Sequence, residues 1–246
     1  MIVPRPFLIA LQFLTRFPVR LEPAPEERDI GLSMLYYPAV GLLMGLLLIA
    51  LAWALADLPG LIPSAILLAF WVLVTGALHL DGLADSADAW IGGAGDRERS
   101  LAIMKDPCAG PTAVVVLVVV LLIKLAALER LLTQEDWIGL VLAPMLGRTA
   151  LPLLFLTTPY VRAGGLGAAL AQPRWRRTGV LVVLGTSVAA TLAAGARGPW
   201  LLLATAGLFV LLRGLMVQRI GGITGDTAGA LVELTETAVL VSLALA

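Results

Sequence analysis

Pro111-Thr-Ala-Val-Val-Val-Leu-Val-Val-Val-Leu-Leu-Ile-Lys-Leu-Ala-Ala-Leu128 is apolar at every position except Thr112 and Lys124. Such a run approaches the roughly 20 residues a helix needs to cross a bilayer. The rest of the chain reads the same way. Six more stretches are long enough or nearly so, at about 31 to 56, 61 to 79, 137 to 157, 178 to 196, 199 to 218 and 227 to 246. Helix breakers separate them: Pro59, Gly60 and Pro63, Gly110 and Pro111, Pro159, Gly198 and Pro199, Gly221 and Gly222. Of the 246 residues 59 % are hydrophobic and only 14 % charged. A soluble domain would carry about a quarter charged residues. The reading is an all-α integral membrane protein of seven transmembrane helices in a single polytopic domain over 1–246.

Residues 7–14, Phe-Leu-Ile-Ala-Leu-Gln-Phe-Leu, are too short to span and are bracketed by Arg5, Arg16 and Arg20, so 1–30 reads as an interfacial helix followed by a Pro- and Glu-rich loop. The N-terminus lacks the pattern of a cleaved signal peptide. Gly41 and Gly45 form a Gly-x-x-x-Gly pair that would let another helix approach closely. A net charge of zero argues against a nucleic-acid partner, and one cysteine, Cys108, permits neither an internal disulfide nor a cysteine zinc site.

Loop charges orient the chain. With the N-terminus inside, Arg5, Arg16, Arg20, Arg28, Arg97, Arg99, Lys105, Arg162, Arg174, Arg176, Arg177 and Arg219 fall on the inner side and only Arg130 and Arg197 on the outer. The positive-inside rule then expects a cytoplasmic N-terminus, an outer C-terminus, and cytoplasmic segments 80–110 and 219–229.

Four polar groups stand out on that face. The first is His79-Leu-Asp-Gly-Leu-Ala-Asp-Ser-Ala-Asp88, with three carboxylates and no base. On a helix Asp81, Asp85 and Asp88 share a stripe about 60° wide, while His79 projects about 160° from Asp81. Oxygen ligands without the imidazole point to a hard cation, Mg²⁺, rather than zinc. The second group is Met104-Lys-Asp-Pro-Cys-Ala-Gly110, where Gly110 and Pro111 make a helix start able to bind an anion, with Lys105 adding charge. The third is Gly221-Gly-Ile-Thr-Gly-Asp-Thr-Ala-Gly229, whose glycines would let N–H groups reach a phosphate and whose Thr224 and Thr227 offer hydroxyls. It leads into a span carrying Glu233 and Glu236, expected to face a site or a partner cation. The fourth is the intramembrane bases: Arg148 binds a phosphate or holds a carboxylate, while Lys124 and Arg213 are expected to reach toward an interface. Together these describe a Mg²⁺-dependent membrane enzyme acting on a phosphoanhydride.

The motifs resemble the adenosylcobinamide-GDP ribazoletransferases, also called cobalamin synthases. The likeness covers nearly the whole chain: Leu11-Gln-Phe-Leu-Thr-Arg-Phe-Pro18, Tyr37-Pro-Ala-Val-Gly41 with Gly45, His79-Leu-Asp-Gly-Leu-Ala-Asp85 with Asp88, Met104-Lys-Asp106, Gly147-Arg148, and Thr224-Gly-Asp-Thr-Ala-Gly229 with Glu233 and Glu236. Cys108 departs from the family, which often has a base there, and Ala89 and Ala113 stand where glycines are frequent. The resemblance implies an inner-membrane, Mg²⁺-dependent enzyme of vitamin B12 biosynthesis. It would join adenosylcobinamide-GDP and alpha-ribazole, or its 5'-phosphate, to give adenosylcobalamin or its 5'-phosphate and GMP. Asp81, Asp85 and Asp88 would hold the metal, and Asp81, Asp85, Asp226 and Glu233 would be catalytic. His79, Lys105, Asp106, Arg148, Thr224, Gly225, Thr227 and Glu236 would contact substrate. Its partners would be these substrates and the lipid bilayer, with homo-oligomerisation left open. Alternatives from the residues are a CDP-alcohol phosphotransferase-like lipid synthase, whose usual Ala-Arg after Asp-Gly-x-x is missing here, and a secondary transporter.

Overall fold

Pro111 sits at the first position of a helix, where its missing N–H has no partner to lose, and the helix continues past the end of the apolar run at Leu128 to Thr133. The protein's structure, a computed structural model, describes residues 3–162, 166–170 and 175–246. Arg174 of the charge count lies outside them. The helices are α1 (Arg5–Leu14), α2 (Glu27–Ser33), α3 (Tyr37–Ala54), α4 (Ile62–Thr75), α5 (Leu78–Gly92), α6 (Arg97–Ile103), α7 (Pro111–Thr133), α8 (Ile138–Thr157), α9 (Leu166–Leu170), α10 (Arg176–Ala193), α11 (Gly198–Ile220) and α12 (Gly225–Ala244). Among the described residues the extended pairing is one isolated bridge, Tyr160 with Ile223. The chain is an all-helical, multi-pass membrane protein.

Two spans differ from expectation. Five helical segments are long and apolar enough to cross a membrane, Glu27–Ala54, Pro111–Thr133, Ile138–Thr157, Gly195–Ile220 and Gly225–Ala244, and a bent pair raises the number to six rather than seven. The expected straight span 61 to 79 breaks after Thr75, and α5 leaves α4 at 87°. Gly76 (φ 60°) and Ala77 (φ 56°) both take the left-handed conformation. Glycine does so freely, but alanine carries strain there, so packing must hold the corner. Arg16 supplies it: its N–H donates to the Val74 carbonyl at 2.7 Å, and its side chain lies over Gly76. The other difference is α10, which opens on Arg176 and Arg177 and falls outside the apolar count, although Leu181, Leu184 and Leu192 are exposed on its outer face.

Two helices form the centre. The spans of α8 and α12 are each 72 % buried, whereas that of α7 is 28 % buried and turns Val114, Val115, Val118 and Leu122 outward. That apolar outer face suits lipid. The central helix α12 lies against α5, α7, α8 and α11, and α3 runs along α8. The glycine pair performs its expected role on that second contact. Gly41 meets the Pro144–Met145 backbone, and a Cβ at Gly45 would come within 2.6 Å of the Val141 Cα. Removing both side chains lets two backbones touch where lipid offers no hydrophobic drive to bring helices together.

Candidate active site

The bend after Gly76 swings α5 across the start of α12, and two glycines set how closely they cross. A Cβ at Gly82 would lie 2.6 Å from the Asp226 carbonyl oxygen, and one at Gly229 would lie 3.3 Å from the His79 Cα. The glycines of both motifs therefore serve a helix crossing. The consequence is electrostatic. Asp81 and Asp85, one turn apart on α5, come into electrostatic reach of Asp226 on α12. Asp81 is exposed and Asp85 half-buried, and neither carboxylate accepts a hydrogen bond or ion pair among the described residues. Asp226 pairs with Arg162 at 2.6 Å.

Asp88, the third member of the acidic stripe, has a different partner. One of its carboxylate oxygens takes the Gly110 N–H at 2.5 Å and the other the Ala113 N–H at 2.9 Å. The anion expected at the start of α7 is thus supplied by the chain itself, and the helix dipole favours it there. This differs from the expectation that Asp88 holds metal and that the Gly110 turn is free to bind an outside anion. A Cβ at Gly110 would strike the Asp88 carboxylate, which explains the glycine.

Glu233, Glu236 and Arg148 sit away from any surface, at 4 %, 0 % and 0 % exposure. Lys124 reaches both glutamates at 2.5 Å, Arg148 pairs with Glu236, and the His79 Nδ1 lies 3.5 Å from the Arg148 Nη2. Lys124 also lies 4.9 Å from the centroid of the Trp71 ring. A lysine in the middle of an apolar helix therefore faces inward and, together with Arg148, neutralises two acids, instead of reaching an interface as expected. Of the two options for Arg148, the structure shows the carboxylate. The catalytic role expected of Glu233 and the substrate contacts expected of Glu236 and Arg148 do not suit groups so enclosed and paired. Burying such charges in lipid is tolerable only because they balance one another. Gly147 gives Glu236 its space, since a Cβ there would come within 2.8 Å of its Cγ. Arg213, likewise expected at an interface, donates to the Thr157 carbonyl at 2.6 Å and the Thr158 hydroxyl at 2.9 Å.

The loop before α12 is built by its own side chains. Thr224 and Thr227 form a reciprocal capping box: the Thr227 N–H donates to the Thr224 hydroxyl at 3.2 Å, and the Thr224 N–H donates to the Thr227 hydroxyl at 2.9 Å. Both residues are fully buried, so their hydroxyls serve the helix end rather than a ligand. Gly225 is exposed with open space over it. Lys105 and Asp106 are exposed on the 104–110 loop, which joins this region where Met104 accepts from Arg162 at 3.3 Å. Arg162 is the residue that sequence reading missed. It was one loop base among twelve, and only the fold places it against Asp226.

His79, Asp81, Gly82, Gly225, Asp226 and Gly229 share a pocket of about 260 Å³ with leucines and aromatic rings. Among the described residues no three Asp, Glu, His or Cys side chains converge on a point that would hold an ion. Mg²⁺ asks less of a protein: one or two carboxylates, with water and substrate phosphates completing its shell. The unpaired Asp81 and Asp85 fit that donor set.

Comparison with known proteins gives a consistent result. A family model described as cobalamin-5-phosphate synthase matches residues 6–244. The chain is 58 % identical over 240 residues to the adenosylcobinamide-GDP ribazoletransferase of Pseudomonas entomophila, covering 98 % of each chain. It is 58 % identical over 241 residues to that of Pseudomonas aeruginosa, again covering 98 % of each, and 56 % identical over 240 residues to that of Pseudomonas fluorescens, covering 98 % and 99 %. No solved structure matches.

Proposed function

The chain belongs to the cobalamin-5-phosphate synthase family and is a transferase of cobalamin synthesis, and from that premise we propose how its residues carry the reaction. The substrates are adenosylcobinamide-GDP and alpha-ribazole or its 5'-phosphate. A ribose hydroxyl attacks the phosphorus on the cobinamide side, the anhydride bond from that phosphorus to GMP breaks, and GMP leaves with the electron pair. Family membership supports this reaction over the lipid synthase or transporter left open by the residues.

One observation carries the assignment of residues: the crossing of α5 and α12 brings Asp81, Asp85 and Asp226 into electrostatic reach of one another, with Asp81 and Asp226 lining one pocket. Within it, a carboxylate of this group takes the proton of the attacking hydroxyl. Asp81 and Asp85 hold Mg²⁺, which supplies neutralisation of the diphosphate and of the charge developing on it. The N–H groups of Gly225 and Asp226, in the first turn of α12, lack intrahelical partners and are available as donors to a phosphate. Arg162 steadies Asp226, and Lys105, exposed next to Met104 on the loop that Arg162 bonds, adds a positive charge to this end. His79 closes the inner wall and is held by Arg148.

The site end faces the cytoplasm across the inner membrane, and the C-terminus lies outside. Several inner-set bases support this by gathering at the site end. Arg97 donates to the Ile220 carbonyl and Arg219 to the Trp90 carbonyl, each at 2.8 Å. Because α12 begins at that end and spans, its C-terminal turn lies opposite. The test is to incubate the detergent-solubilised protein with Mg²⁺, adenosylcobinamide-GDP and alpha-ribazole and to measure GMP. Release of GMP only when both substrates are present is expected, and its absence from folded protein overturns the reading.

A further inference from the structure

The same pocket has an aromatic side that the chemistry above does not use. Two stacked ring pairs line it, Phe13 with Tyr37 and Phe155 with Tyr160, each with centroids 6.1 Å apart and planes 26° from parallel. They come from α1, the start of α3, the end of α8 and the turn beyond it. That turn is anchored: the Val161 N–H donates to the Ile223 carbonyl, and the Ile223 N–H to the Pro159 carbonyl, both at 2.9 Å. Tyr160 is thereby fixed to the segment that leads into Asp226. Apolar lining continues past the pocket into an adjoining cavity of about 370 Å³ that shares Phe13 and Tyr37.

The lining discriminates between the two bases that the reaction brings together. Guanine carries a carbonyl and an amino group on its edge, and burying these without partners is costly. Among the described residues lining the pocket, the polar side chains are His79, Asp81, Asp226 and the Tyr37 and Tyr160 hydroxyls; His79 lies against Arg148 and the two acids serve the chemistry above, so the aromatic side itself offers a guanine edge only tyrosine hydroxyls. The base of ribazole is a flat, two-ring benzimidazole with methyl groups on its outer edge; it has a single acceptor nitrogen and otherwise asks for ring faces and apolar walls. Size agrees. A pocket of about 260 Å³ suits a nucleoside and is too small for a corrin macrocycle.

We propose that this aromatic pocket is the ribazole subsite: its rings stack the dimethylbenzimidazole base and leave the ribose at Asp81 and Asp226, while the guanine of the other substrate binds elsewhere. The inference rests on the ribazoletransferase reading. It makes the pocket the place where the nucleophile, not the leaving group, is selected.

Steady-state kinetics on the purified full-length protein in detergent, varying each substrate in turn, test it. Tyr160→Leu and Phe155→Leu are expected to raise KM for alpha-ribazole about tenfold, the effect of losing one base–aromatic stack. KM for adenosylcobinamide-GDP should stay within about twofold, and Tyr160→Phe, which keeps a ring face, should raise KM for alpha-ribazole less than Tyr160→Leu does. A rise confined to adenosylcobinamide-GDP, or no change in either KM, overturns the proposal. Should the variants fail to fold, the wild-type protein still decides. Free 5,6-dimethylbenzimidazole should inhibit competitively against alpha-ribazole and guanosine should not, and the reverse pattern overturns the subsite. If the wild type forms no GMP, the functional reading fails on its own. Calorimetric titration with alpha-ribazole then judges the pocket, with about tenfold weaker binding expected in Tyr160→Leu and equal binding overturning it.

Discussion

Asp81, Asp85 and Asp226 stand where α5 crosses the start of α12, and Glu233 and Glu236 stand two turns further along α12. The first group is open, with two of its three carboxylates unpaired, whereas the second is enclosed and matched by Lys124 and Arg148. The same functional group thus serves two ends. At the water-facing end uncompensated negative charge is affordable and attracts a cation. Two turns into the bundle, a carboxylate persists only if cations cancel it, so it becomes a structural tie among α7, α8 and α12.

The comparison can be broken at either side. Lys124→Met removes the cation shared by two buried acids and should cost about 3–5 kcal/mol, read as a steep loss of folded protein after extraction. Adding Glu233→Gln restores neutrality and should recover much of that loss. Failure of the double variant to improve on the single one would show that packing, not charge balance, holds the cluster. On the open side, Asp81→Asn and Asp85→Asn should each lower kcat by about 10²–10³ while moving stability by no more than about 0.5 kcal/mol. Chelation with EDTA should likewise stop GMP release, leave the thermal midpoint unchanged, and be reversed by Mg²⁺. Wild-type turnover in excess EDTA would remove the metal from the site.

Two smaller substitutions sharpen the boundary between the groups. Gly82→Ala drives a methyl against the Asp226 backbone and should push α5 off α12, lowering kcat/KM about 100-fold while the protein remains extractable. Asp88→Ala should cost only about 0.5–2 kcal/mol through the lost cap on α7, with turnover reduced less than in Asp81→Asn. Equal loss of turnover in the two would return Asp88 to the metal site.

Much of this was legible in the residues. The apolar runs announced a membrane bundle, and the Gly41–Gly45 pair announced a close helix contact, because both depend on composition and spacing along one helix. The bend at Gly76–Ala77 was not legible, since it is held by Arg16 from sixty residues earlier and an apolar run reads the same straight or broken. Helical periodicity turned His79 away from the carboxylates; its ring lies against Arg148, yet His79 lines the same pocket as Asp81 and Asp226. It also put Asp88 on the stripe of Asp81 and Asp85, but periodicity cannot say that the start of another helix lies beside that end. Glu233, Glu236 and Arg148 looked like site residues for the same reason: a charge in an apolar helix signals a need for a partner without naming the partner.

What the sequence determined by itself is the set of materials: apolar runs that must lie in lipid, an acidic helix with its own face, and motifs whose combination marks the family. Those follow from local periodicity and from the energetics of moving side chains out of water, which act residue by residue. Only the tertiary structure decided which acids are free and which are neutralised. That depends on which cation a second helix brings within ion-pair distance, and no rule confined to one segment contains it.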